Sequence, residues 1–454
     1  MNFNWNRRSF LSALGAAAGS AFSPKAVLAE KKLKDEKHGV DGHAIVPIAK
    51  GLGSTGDVYA ELGVKPLVNI VGTVTVIGGS VMKPEVMELM RQGNQHFVLI
   101  NELEVAAGKY IEKLCKTPPG YTGLVTGGVA AGIVVGYAGM LTEDLEPRLR
   151  TVPDLTGFPK TEVIIQKAHR NPFDHQVRQT GVTLVEVETK EQMMNAINPK
   201  TLAMHYINIQ SDRGQVSGPE MIEIAKKANI YTFNDASADV PPKERLWEYP
   251  AQGWDFVAFS GGKDICGPQS TGVLIGKENL IRWAQMNMSP QEDRIGRACK
   301  VGKEQIFALL KALELFVDQD FDQVIAMYDK RAETITKAVE KYGVTALPRE
   351  FNPQALGNVT PHYSWQIDAS KVNITASEVM KQLAETKPVG IGSLNADSLG
   401  MRGRNPDAQS HVPQRPRRER DETKFGFAVW QLKDGEDKYI ADRLVEILSA
   451  VKKA

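Results

Sequence analysis

Two hydrophobic rhythms alternate along the chain between about residues 60 and 340. Short apolar runs occur at Glu162-Val163-Ile164-Ile165, Thr183-Leu184-Val185-Glu186, Ile230-Tyr231-Thr232-Phe233, Phe256-Val257-Ala258-Phe259 and Gly272-Val273-Leu274-Ile275, and each predicts a strand. Between them, apolar residues recur at helical spacing over 83–92, 101–115, 128–141 and 218–228. Strands alternating with helices predict an α/β fold, with a large, mainly parallel sheet covered on both faces. A long helical stretch is expected over 302–342. Further on, strand-like segments near 361–367 and 424–430 and helices near 375–385 and 434–452 suffice for a small α+β domain. The expected organisation is a large domain over 58–340 and a small C-terminal domain over 341–454. Residues 30–57, rich in Lys, Gly and Asp and without periodicity, read as an extended lead-in. Within the small domain, 396–423 interleaves several arginines with Pro and Asp and has no apolar period, which predicts a surface loop.

Residues 1–29 follow a different pattern. Arg7-Arg8 precedes Phe10-Leu11, a weakly apolar Ala/Gly-rich stretch runs over 9–23, and Val27 and Ala29 place small residues at a cleavage position. This is the pattern of a twin-arginine signal peptide, cut after Ala29. It predicts engagement of the twin-arginine translocation machinery and a periplasmic location. That route carries folded proteins, so it also hints at a cofactor acquired before export. No run reaches the roughly 18 apolar residues of a membrane-spanning helix, so stable membrane insertion is not expected.

Composition narrows the classes further. The 454 residues are 42% hydrophobic and 24% charged, which excludes collagenous and disordered chains. Lys and Arg number 55 against 54 Asp and Glu. The first 29 residues hold Arg7, Arg8 and Lys25 and no acid, leaving 52 basic against 54 acidic residues. No basic field points to nucleic acid. The three cysteines (Cys115, Cys266, Cys299) and eight histidines show no metal-ligand spacing.

The chemistry concentrates in three places. Phe259-Ser260-Gly261-Gly262-Lys263 sets a lysine after a strand and two glycines, where a planar ligand can approach closely. Flanking apolar strands would desolvate that amine, lower its pKa and free it for Schiff-base chemistry. Upstream, Asn234-Asp235-Ala236 ends another strand. An aspartate there can pair with a pyridinium nitrogen and keep the ring an electron sink. Earlier still, Thr126-Gly127-Gly128-Val129 reads as strand, glycine turn and helix start, whose backbone N–H groups suit a phosphate. Each piece alone is ordinary. Their order along an α/β sheet places all three at the carboxyl ends of strands, where ligands bind. The combination points to pyridoxal 5′-phosphate.

These runs resemble those of fold-type I pyridoxal-phosphate enzymes. Together with Asn69-Ile70-Val71-Gly72-Thr73, His169-Arg170-Asn171-Pro172-Phe173-Asp174-His175, Gly267-Pro268-Gln269-Ser270-Thr271-Gly272 and Ile295-Gly296-Arg297, they resemble a narrower group. That group contains selenocysteine synthase and D-glucosaminate-6-phosphate ammonia-lyase. The resemblance implies that Lys263 carries the cofactor and shuttles protons, and that Asp235 meets the pyridine nitrogen. It places Gly127, Gly128 and Ser260 around the phosphate, with Thr126 also among the cofactor-binding residues. His169 is implied as the ring-stacking residue, with His175 as second choice. Arg297 and Lys300, or Arg402 and Arg404 of the small domain, are candidates for a substrate carboxylate or phosphate. Asp235-Ala236-Ser237 and Gly127-Gly128-Val129 depart from the group's usual Asp-Ala-Ala and Ser/Asn-Gly-Ala without removing a reactive group. Sites of this fold are shared between subunits, so a homodimer or higher homo-oligomer is implied.

The functional expectation is an exported enzyme acting on a small amino acid or amino sugar acid, with elimination favoured. Racemisation, transamination and a selenocysteine-synthase-like transfer are the alternatives. Transfer to charged tRNA fits poorly with export and with a nearly neutral chain. A cofactor-binding sensory module would have no use for both Lys263 and Asp235.

Overall fold

The computed structural model describes residues 52–351, 357–387, 389–392 and 421–451. Residues 1–29 and the arginine-rich stretch through Arg402 and Arg404 lie outside the described residues. The chain divides into two compact units, 1–66 and 67–454. In the first, Asp57 caps a single helical turn over Val58–Glu61.

The second unit is built on a seven-stranded sheet. In chain order its strands are β2 (Tyr121–Thr126), β3 (Glu162–Gln166), β4 (Thr183–Val187), β5 (Thr201–Ile207), β6 (Tyr231–Asp235), β7 (Phe256–Ser260) and β8 (Gly272–Lys277), following a short β1 (Leu67–Asn69) that belongs elsewhere. Their spatial order is β2-β8-β7-β6-β5-β3-β4, and only β8 runs against its neighbours. All seven residues of β5 are buried, as expected of a strand covered on both faces. This strand escapes the sequence pattern because Thr201–Ile207 is uniformly enclosed and shows no alternation. The helix Gly218–Ala228 starts where Ser217 and Glu220 form a capping box.

Strand parity sorts the core into two layers. Phe233, Phe256, Ala258 and Leu274 face the helix Val129–Thr142 through Ile133, Tyr137 and Met140. Met204, Tyr206, Val257 and Phe259 face the opposite layer, with Met221, Leu246, Leu309 and Leu313. Each such side chain removed from water contributes about 1.5–3 kcal/mol before conformational entropy is subtracted.

A third cluster gathers around the antiparallel strands β9 (Val344–Ala346), β10 (Tyr363–Ile367) and β12 (Lys424–Phe427), with Ile335, Trp365, Phe425 and Leu444 at its centre. Val68 and Ile70 join this cluster, because β1 pairs in parallel with β11 (Gly390–Gly392). The stretch 302–342 is two helices rather than one, Lys303–Val317 and Phe321–Val339. The break falls where the Asp320 carboxylate accepts from the amides of Asp322 and Gln323 and starts a new helix.

Candidate active site

The parallel strands share one carboxyl edge, and the singled-out residues collect there. Asp235 ends β6 and Ser260 ends β7, while Thr126 ends β2 opposite Gly272, the first residue of β8. The turn after β7 is held tightly. The Gly261 amide donates to the Thr271 carbonyl (2.9 Å), and the Gly267 amide donates to that of Gly261 (2.8 Å). A Cβ at Gly261 would collide with Thr271 and Leu309, and one at Gly262 with the Gln269 backbone. Both glycines are therefore demanded by the return of the chain. From the other side, Ser80 donates to the Gly262 carbonyl (3.0 Å), and Gln269 donates to that of Thr75 (3.1 Å). Lys263 sits half-buried on this clasped turn. Burial pushes its pKa down, against the pull of Asp235, Asp264 and Asp239. An amine so placed is more readily neutral, as nucleophilic and proton-accepting work requires.

The second element is the turn after β2. Gly128 has φ +97° and precedes the helix Val129–Thr142, whose first turn has no side-chain cap. A Cβ at Gly128 would meet nothing within 4 Å, whereas one at Gly127 would approach the Cys299 carbonyl at 2.9 Å. The helix N-terminus therefore presents N–H groups toward open space, an arrangement that suits a phosphate. The Thr126 hydroxyl donates to the Gly128 carbonyl (2.9 Å), so it braces the turn. Thr126, expected among the cofactor-binding residues, thus has its hydroxyl engaged within the turn. The segment bearing Cys299 lies against Gly127, and Arg297 and Lys300 on it are exposed. Arg297 Nη1 reaches Ser289 at 3.3 Å.

Asp235 is buried, and one of its carboxylate oxygens accepts from the Ser237 amide (3.0 Å). On the same sheet face, His205 lies on the adjacent β5, in register with Phe233. His205 Nδ1 and the Tyr137 hydroxyl share a hydrogen bond of 2.9 Å. Burial holds the His205 pKa down to about 4 despite Asp235 and Asp174, so it is neutral at ordinary pH. Sequence reasoning missed this pair. Its signal was parity: His205 and Asp235 project from neighbouring strands on one face.

His169 departs from expectation. It is fully buried, with Nδ1 accepting from the Ile207 amide (3.3 Å) and its ring edge-on to Tyr206. No face of the ring is open, so the ring-stacking assignment is corrected to a structural one. His175 is exposed and shares a 3.3 Å contact with Arg178. Arg170, buried, binds Asp174 (2.5 Å) and Glu186, which fixes the turn that carries His169. Cys115, Cys266 and Cys299 are free thiols. Among the described residues, no cluster of His, Cys, Asp and Glu suits a metal ion.

Comparison with known proteins agrees with this geometry. The profile of the class-V aminotransferase family matches residues 160–360, the span holding Asp235, Ser260 and Lys263. The D-glucosaminate-6-phosphate ammonia lyase of Salmonella typhimurium is 27% identical over 340 residues, covering 72% of this chain and 87% of that one. An L-seryl-tRNA(Sec) selenium transferase of Rhizobium meliloti is 31% identical over 163 residues, only 34% of its own length. A solved D-glucosaminate-6-phosphate ammonia-lyase structure superposes with a TM-score of 0.71 at 24% identity, covering 87% of this chain and 98% of that one. The fold is that of the fold-type I pyridoxal-phosphate enzymes. The protein is an enzyme with pyridoxal 5′-phosphate as its cofactor, similar to lyases and transferases of that fold. The residues present fit this group: an uncapped helix start beside open space, a buried acid and a desolvated amine.

Proposed function

We propose that the protein is a lyase that removes a proton from Cα of a small amino acid or amino sugar acid and expels a substituent from Cβ. The observation that carries this reading is the placement of Lys263 on the clasped turn after β7, at the same strand edge as Asp235, where burial lowers its pKa. When bound, pyridoxal phosphate supplies an electron sink for charge developing at Cα. Lys263 Nζ accepts the Cα proton, and the Cβ substituent departs with its bonding pair. Asp235 would hold a proton at the ring nitrogen, and the neutral His205 beside it adds no competing charge. The N–H groups after Gly128 would hold the phosphate. The likeness to an ammonia lyase along 87% of that enzyme's length supports elimination.

The substrate's anionic group is assigned to Arg297 and Lys300, exposed beside the Gly127 turn. The same reading includes a homodimer, and export guided by Arg7 and Arg8, which sequence alone supports. The deciding experiment incubates holoenzyme with D- and L-amino acids and amino sugar acids. Keto acid, ammonia and inverted substrate are measured together. Equal amounts of keto acid and ammonia from one substrate class are expected. Inversion without ammonia, or amino transfer to an added keto acid, would overturn the elimination reading.

A further inference from the structure

A sizeable cavity among the described residues does not lie over Lys263. It lies behind the turn that carries it, has a volume of about 650 Å³, and takes Asp264, Ile265 and Cys266 as one wall. The two helices that replace the expected long one form the opposite wall through residues 312–331, and Thr360 and Trp430 close a side. A volume of this size falls in the range of small-molecule sites, roughly 300–1,000 Å³.

Its chemistry is distinctive in two respects. The rings of Phe316, Phe321, Tyr328 and Trp430 line it. Carboxylates also border it, from Glu244, Asp264, Asp318, Asp320 and Asp322. The opposing cations are Lys83, Lys243 and Arg331, of which two are already engaged. Lys243 Nζ donates to the carbonyls of Val317 (2.6 Å) and Gln319 (3.1 Å). Arg331 reaches the Val429 carbonyl (3.3 Å) and Asp434 (3.5 Å). Aromatic faces combined with carboxylates are the surroundings that stabilise an organic ammonium ion, by cation–π attraction and by charge.

Two buried polar atoms on this wall have no hydrogen-bond partner, Asp264 Oδ2 and Thr360 Oγ1. Thr360 is only 4% exposed, and its amide is already tied to Asn358 Oδ1 (3.2 Å). Buried polar atoms are ordinarily satisfied, and an orphan costs about 1–3 kcal/mol. A hydroxyl, a carboxylate oxygen, acids in excess and four aromatic rings thus converge on one space.

We propose that this cavity is a second ligand site, distinct from the cofactor site, which takes a small alkylated ammonium compound bearing a hydroxyl or similar polar group. Asp264 and the aromatic rings receive the cation, and Thr360 receives the polar end. Because Asp264 directly follows Lys263, the occupant abuts the turn that presents the reactive amine.

The test uses the full-length holoenzyme and isothermal titration with choline, whose quaternary nitrogen cannot form an imine with the cofactor. Its uncharged isostere, 3,3-dimethylbutan-1-ol, is the control. Saturable binding of choline is expected, with the isostere at least about 10-fold weaker. Asp264→Asn should weaken choline by about 10-fold, through loss of the carboxylate charge that faces the ammonium ion. Ile325→Trp, which fills the cavity from the wall opposite Asp264, should abolish binding and keeps the test open if Asp264→Asn misfolds. Equal binding of the two compounds, no saturable binding, or choline binding undiminished in Ile325→Trp would overturn the proposal.

Discussion

Asp239 offers the sharpest stability test of the site. It is completely buried four residues beyond Asp235, beside Asn208, Arg245 and Tyr249. Burial raises its pKa from 3.8 to about 8, only partly offset by nearby Asn208, Arg245 and Lys263. The sign follows from proton counting. An acid whose folded pKa exceeds its unfolded one binds more protons when folded, so stability is lost as pH rises from about 4 to about 8. Each pH unit in that window costs about 1.4 kcal/mol, or about 4 kcal/mol by pH 7 as an upper bound. Asp239→Asn keeps the shape and removes the titration. Urea unfolding of the cofactor-free chain at pH 5 and pH 7 should show wild type losing about 2–3 kcal/mol more than the variant. Asp264 and Glu104, both raised to about 7 by burial, add a slope of the same sign. His169 and His205, both lowered to about 4, add one of opposite sign. These contributions are common to the two proteins and leave the difference to Asp239. Identical pH slopes in the two proteins would refute the claim that Asp239 is held protonated in the fold.

Other consequences reach the cofactor more directly. Gly128→Val forces a branched side chain into φ +97° and should cost about 1–2 kcal/mol in the cofactor-free chain. It should also weaken pyridoxal phosphate in a spectrophotometric titration, whereas unchanged affinity would remove the phosphate from this turn. Gly262→Ala drives a Cβ into the Gln269 backbone, so its melting temperature should fall by an amount corresponding to about 1–3 kcal/mol. Added pyridoxal phosphate at 100 times its Kd should stabilise wild type by about 2.7 kcal/mol in thermal unfolding. Lys263→Ala should lose most of that gain.

Much of this architecture was legible in residue order. The strands β3, β4, β6, β7 and β8 each carry an apolar centre flanked by turn residues, and their periodicity sufficed. Strand β5 was not legible, because a run buried on both faces has no alternation and His205-Tyr206 interrupts its apolarity. The helical stretch over 302–342 looked continuous because both helices are amphipathic. Only Asp320 acting as a cap, a tertiary outcome, divides it. Lys263, Asp235 and the Gly127-Gly128 turn could be found because ligand chemistry sits at strand ends, where glycine and a lone charge stand out. Asp239, His205 and Tyr137 lie within segments whose surroundings only folding supplies. His169 shows the converse: a motif residue can serve the loop's own packing, and only its enclosure by Tyr206 and the Ile207 amide reveals that.

The central claim is that Lys263 is the residue that binds the cofactor covalently. Borohydride reduction of the holoenzyme, followed by proteolysis and peptide mass mapping, tests it most directly. The account predicts a pyridoxyl-phosphate mass increment on the peptide containing Lys263 and on no other lysine. An increment on a different lysine, or a fully loaded enzyme yielding an unmodified Lys263 peptide, would contradict it.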